Sequence, residues 1–65
     1  MIRLKTFQRV LHHFNGDIAK AKNWFEIPNP VLEDLKPSDY AKMGKHDYLD
    51  KMIDSALEES SHAVR

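Results

Sequence analysis

The chain has no cysteine, only two glycines and three prolines, and no net charge, its ten Lys and Arg offsetting ten Asp and Glu. The lack of cysteine excludes a disulfide framework and every Cys-containing zinc site, the devices that often support folds of this size. No apolar run approaches the roughly 18–20 residues of a membrane span. The start, Met1-Ile2-Arg3-Leu4-Lys5, carries charge with no continuous apolar stretch behind it, which argues against a signal peptide. These absences point to a cytoplasmic protein. Strand-like alternation, internal repeats and low-complexity stretches are missing too. With 65 residues there is room for one domain, and a domain this small buries only roughly 60% of the surface its unfolded chain exposes. A pocket of about 300–1,000 Å³ needs more lining than such a chain supplies. The expectation is a surface-acting module and no enzyme.

Thirteen Leu, Ile and Val and six aromatics are present, enough to seed a core and to disfavour disorder. The neutral total hides an asymmetry. Residues 1–32 carry five Lys/Arg against two Asp/Glu, and residues 33–65 carry five against eight. The first half is basic and the second acidic.

Apolar residues at Leu4, Phe7, Val10, Leu11 and Phe14 have the spacing of one helix face. Asn15-Gly16 stops that helix, because both residues tolerate the left-handed conformation. Asp17 is the natural N-cap of a second helix with Ile18, Ala21 and Phe25 inward and Trp24 at the margin. Pro28 disfavours helical geometry at Ile27, so this helix should end near Glu26. Asn29-Pro30 starts a short segment reaching Leu35, and Pro37 starts another, with Asp39 near its positive end. Tyr40 and Met43 are expected inward and Gly44 closes the segment. The longest helix is expected from His46 to Ser60, with Tyr48, Leu49, Met52, Ile53, Ala56 and Leu57 as its apolar stripe. The fold class is therefore all-α, a bundle of about four to five short helices with a longer C-terminal one. Residues 1–60 form the domain and 61–65 a flexible tail.

Candidate chemistry is sparse. His12 and His13 point about 100° apart on a helix, no His pair has i, i+4 spacing, and no HExxH motif occurs. No metal or cofactor site is expected. Ser38, Ser55, Ser60 and Ser61 lack a motif that sets a nucleophile beside a base. Lys5, Arg9 and His12 make a basic stripe on helix one, thin for DNA, where affinity comes from many neutralised phosphates. Asp47, Asp50, Asp54 and Glu58 run down the last helix, with Lys51 one turn from Asp47. Asp54 and Glu58 repel mildly, and a basic partner surface would give that repulsion a purpose. Trp24, the single tryptophan, is read as core before binding anchor.

The run Trp24-Phe25-Glu26-Ile27-Pro28-Asn29-Pro30-Val31-Leu32 resembles the C-terminal toxin-binding domain of Xre/MbcA/ParS-type antitoxins. That domain reads as a helix ending in Trp-Leu, a Pro-Asn-x-x-Leu turn, a Pro-x-Asp helix start, a Gly and a closing helix. The matching residues are Gly16, Asp17, Ala21, Trp24, Phe25, Pro28, Asn29, Pro30 and Leu32, then Pro37, Asp39, Tyr40, Gly44, Leu49 and Ile53. The chain departs from the pattern at Glu33-Asp34, where the family has small residues or glycines. It departs again at Ala56, where the family commonly has Gly. No helix-turn-helix domain is expected before helix one, and without one nucleic acid is not an expected partner.

The resemblance implies a cytoplasmic partner of a toxin–antitoxin system that docks on a RES-domain toxin, an NAD-consuming enzyme, and occludes its active site. The toxin-facing residues expected are Asp47, Asp50, Asp54, Leu57, Glu58, His62 and Arg65. Two alternatives stand beside it. One is a DNA-associated regulator using the basic face of helix one. The other is a homodimer or larger homo-oligomer through apolar margins at Trp24, Ile2 and Leu57.

Overall fold

The computed structural model describes the backbone of residues 2–63 and the side chains of residues 2–58. Among these, four α-helices and one 3-10 turn form and no strand does: α1 (Leu4–His13), α2 (Ile18–Trp24), the 3-10 turn (Pro30–Leu32), α3 (Pro37–Lys42) and α4 (His46–Ala63). The small all-α bundle read from the sequence is the fold. None of the helices is long and apolar enough to cross a membrane.

Turn chemistry sets the boundaries. After α1, Asn15 (φ 57°) and Gly16 (φ 85°) turn left-handed, and the Gly16 N–H bonds back to the Leu11 carbonyl at 2.9 Å. The Asp17 carboxylate then accepts from the Lys20 N–H at 3.0 Å and opens α2. That helix stops at Trp24, two residues short of the expected end, in a tighter turn whose Glu26 N–H bonds Asn23 O and Ile27 N–H bonds Trp24 O. The Asp39 carboxylate accepts from the Lys36 N–H at 3.1 Å, with Pro37 at the first position of α3. Gly44 (φ 73°) ends α3, and the Lys45 N–H bonds Tyr40 O at 2.8 Å. No Gly or Pro follows Gly44, and α4 runs to Ala63 rather than to Ser60. Of the tail expected at 61–65, residues 61–63 continue this helix; Val64 and Arg65 lie outside the described residues.

The long α4 is the spine. Its Leu49, Ile53, Ala56 and Leu57 pack with Val10 of α1, Ala21 and Trp24 of α2, Phe25, Leu32 of the 3-10 turn and Tyr40 of α3. Phe25 is stacked on Phe7 at 5.9 Å between ring centroids and meets the Trp24 ring edge-on at 5.1 Å. Trp24, read as core, and Leu57, part of the apolar stripe, are both buried, and Ile2 is partly buried against the core, whereas the oligomer alternative needs all three at an exposed margin. Trp24 and Leu57 are therefore not available to the oligomer face drawn through them: a chain this short uses its largest apolar bodies inside.

Four residues expected inward point out instead: Leu4, Ile18, Met43 and Tyr48. Each lies within one turn of a helix end, where the right angular position is covered at most in part, as by the Tyr40 ring beside Tyr48. Thr6 is the reverse case, a polar residue one turn before Val10 that shares its face and is buried with it.

Candidate partner-binding face on helix α4

The acidic residues of α4 meet the basic residues around α1 at a constant offset. Arg3 Nη1 lies 3.2 Å from Asp47 and 3.7 Å from Asp50, the Thr6 hydroxyl donates to the Asp50 carboxylate, and Arg9 Nη2 lies 2.6 Å from Asp54. Arg9 Nη1 also donates to the Asp50 carbonyl at 3.2 Å. Sequence separations of 44 to 45 along the hydrogen bonds Arg3–Asp47, Thr6–Asp50 and Arg9–Asp54 mean that both helices advance in the same direction. Parallel neighbours bring like ends of their dipoles together, and this ladder of opposite charges offsets that repulsion. Both stripes are legible separately; their pairing makes one face of two.

This pairing redistributes the expected toxin-facing residues. Asp47 and Asp54 stay largely exposed but each already faces an arginine, and Asp50 is partly covered by Arg3 and Thr6. Asp47 pairs with Arg3 and not with Lys51. Glu58 is exposed and, among the described residues, makes no ion pair. Leu57 is buried and forms part of the floor of a shallow concavity of about 560 Å³ between α1 and α4, lined also by Lys5, Gln8, Arg9, His12, His13 and Asp54. The side chains of His62 and Arg65 lie outside the described residues. The residues sequence reading missed here are Arg3 and Thr6. Thr6 was detectable as the one polar residue i, i+4 from Val10, whereas nothing local marks Arg3.

Pairing Arg9 with Asp54 also thins the basic stripe: of Lys5, Arg9 and His12, only Lys5 is a full cation without an ion pair among the described residues. Among the same residues, no group of three or more His, Asp or Glu could hold a metal ion.

The resemblance residues gather at the opposite side of α4. Asn29 is buried, its Oδ1 accepts from the Val31 N–H at 2.9 Å and its Nδ2 donates to the Ala56 carbonyl at 3.1 Å. Its backbone N–H bonds Leu35 O, and its carbonyl accepts from Leu32 and Asp34. One side chain thus caps the 3-10 turn and ties it to the middle of α4. Between them, Glu33 (φ 57°) and Asp34 (φ 62°) are both left-handed. Tyr40 donates its hydroxyl to Leu32 O at 3.1 Å, and burial and the nearby Glu33 carboxylate push its phenol above the usual value of 10. No protein-family model, curated protein or solved structure matches the chain.

Proposed function

We propose that the chain is an antitoxin-like binding module that docks on a RES-domain, NAD-consuming toxin through the outer side and end of α4, covers its active site and catalyses nothing itself. The observation that carries this reading is that the resemblance residues Trp24, Phe25, Asn29, Pro30, Leu32, Pro37, Asp39, Tyr40 and Gly44 hold defined places in one turn assembly. Trp24, Phe25 and Leu32 are core, Asn29 and Asp39 cap, Pro30 and Pro37 start their helical turns, and Tyr40 ties α3 back to Leu32. Glu33 and Asp34, the first departure from the pattern, stand where the backbone is left-handed, the conformation that glycine adopts freely. The sequence differs there while the backbone of this chain adopts a conformation that glycine would favour.

Such an assembly leaves α4 to make the contact. A helix face and its end can cover a standard interface of about 800 Å² per partner with no pocket of their own. Asp47 and Asp54 are held but exposed, and Glu58 is exposed with no ion pair among the described residues, so a basic toxin surface meets Glu58 first and competes with Arg3 and Arg9 for the rest. Charge of this kind chiefly sets encounter rate and partner choice. Co-expression with a RES-domain protein encoded beside this chain tests the reading: a stable complex in which NAD consumption is suppressed supports it. No complex, with an unrelated neighbouring gene, sinks it.

A further inference from the structure

Leu35, Met43 and Tyr48 share a second shallow concavity, of about 520 Å³, with Glu33, Tyr40 and Lys45. The three come from different segments (the loop after the 3-10 turn, the end of α3 and the first turn of α4) and their side chains remain 40%, 49% and 41% exposed. Single exposed apolar residues are ordinary, but a group converging on one concavity is a candidate contact site. The Tyr48 ring lies 5.4 Å from the ring of Tyr40, which is itself tied to Leu32 O. Tyr48 is therefore braced from beneath before anything binds, and an aromatic side chain that is already ordered loses little entropy on contact.

Charge identifies the occupant. Glu33 and Lys45 both line the concavity and, among the described residues, neither makes an ion pair. An acidic partner surface would leave Glu33 opposed, and a basic one would leave Lys45 opposed. A surface with the same apolar floor and one charge of each sign answers both, and a second copy of this chain is such a surface. In a two-fold pair, residue i meets j while j meets i. The zero net charge of the chain removes long-range repulsion between copies.

We propose that Leu35, Met43 and Tyr48 form a self-association face on which two copies pair about a two-fold axis, Glu33 of each against Lys45 of the other. This face does not depend on the toxin-docking reading. The patch is smaller than the roughly 800 Å² per partner of a standard stable interface, so the pairing is weak and concentration-dependent.

Sedimentation equilibrium of the full chain across about 10 μM to 1 mM is the test, with circular dichroism confirming that each variant keeps its helix content. The chain is expected to be monomeric at the low end and to gain mass toward a dimer at the high end. Met43→Asp weakens association about tenfold or more, as expected for loss of an anchor at the centre of a small interface. Glu33→Lys and Lys45→Glu each weaken it, and the two together restore it, because the swapped charges again face their opposites. A chain that stays monomeric throughout, association indifferent to Met43→Asp, or a double swap as weak as the singles overturns the proposal. Should the chain be monomeric while Met43→Asp abolishes capture by a RES-domain protein, the face takes a foreign partner and the dimer is again overturned.

Discussion

Asn29 and Ala56, 27 residues apart, are joined inside the core by a 3.1 Å hydrogen bond from the side-chain amide to the backbone carbonyl. The same side chain caps the 3-10 turn at Val31, so one residue serves as a helix cap and as a brace between the turn and α4. Both functions need an amide: its oxygen accepts while its nitrogen donates.

Asn29→Ala should therefore cost about 1–3 kcal/mol, the sum of a lost cap and a lost buried amide–carbonyl hydrogen bond. Asn29→Asp keeps the cap but sets a carboxylate against the Ala56 carbonyl, and it should be no better than alanine. Urea unfolding of the three proteins measures this; a loss below about 1 kcal/mol for either variant would contradict the brace.

Tyr40 provides a pH test. The folded protein holds its phenolic proton more tightly than the unfolded chain, whose tyrosines ionise near 10. Its contribution is therefore intact below pH 10 and is lost as pH rises through the higher folded value. Tyr40→Phe should cost about 0.5–1.5 kcal/mol at neutral pH, since Leu32 O keeps its second bond from the Leu35 N–H. The variant should also show a shallower loss of stability in alkali. Phenolate absorbance and unfolding midpoints against pH check both.

Glu33 has a β-carbon at φ 57°, beside a second left-handed residue at Asp34. Left-handed backbone costs an L-residue about 1–2 kcal/mol, of which glycine's greater unfolded-state freedom returns about 0.5–1. Glu33→Gly should accordingly stabilise the fold by about 0.5–1 kcal/mol in thermal or urea unfolding. A destabilisation would contradict the turn geometry.

Arg9 and Asp54 are close but exposed, so their pairing should be modest. A double-mutant cycle with Arg9→Ala and Asp54→Ala should give a coupling of about 0.2–1 kcal/mol at low salt that shrinks toward zero near 1 M salt. Salt-independent coupling would mean that the two side chains interact by packing and not by charge.

The helix boundaries were largely legible because they rest on local chemistry: Asn15-Gly16, Asp17, Pro30, Pro37 and Gly44 all act where their residue types direct. Depth was less so. Leu4, Ile18 and Met43 occupy correct angular positions on their helices, yet periodicity says nothing of whether another element reaches that end. The two charge stripes show the same limit. Spacing placed Lys5, Arg9 and His12 on one helix face and Asp47, Asp50 and Asp54 on another, but their mutual register depends on how α1 crosses α4. Only the fold reveals that Arg3, Thr6 and Arg9 answer these aspartates, which leaves Glu58 as the acidic position of α4 without an ion pair among the described residues.

The central claim is that this module binds a RES-domain toxin through α4, and the most direct measurement is NAD consumption by that enzyme titrated with the chain. Wild type should suppress turnover at near-stoichiometric amounts, and Glu58→Lys should require about tenfold more protein to do so, in keeping with loss of an interfacial charge. Asn29→Ala should lose inhibition only as far as it loses fold. Unchanged NAD turnover at saturating wild-type chain, with no complex by sedimentation, would contradict the account.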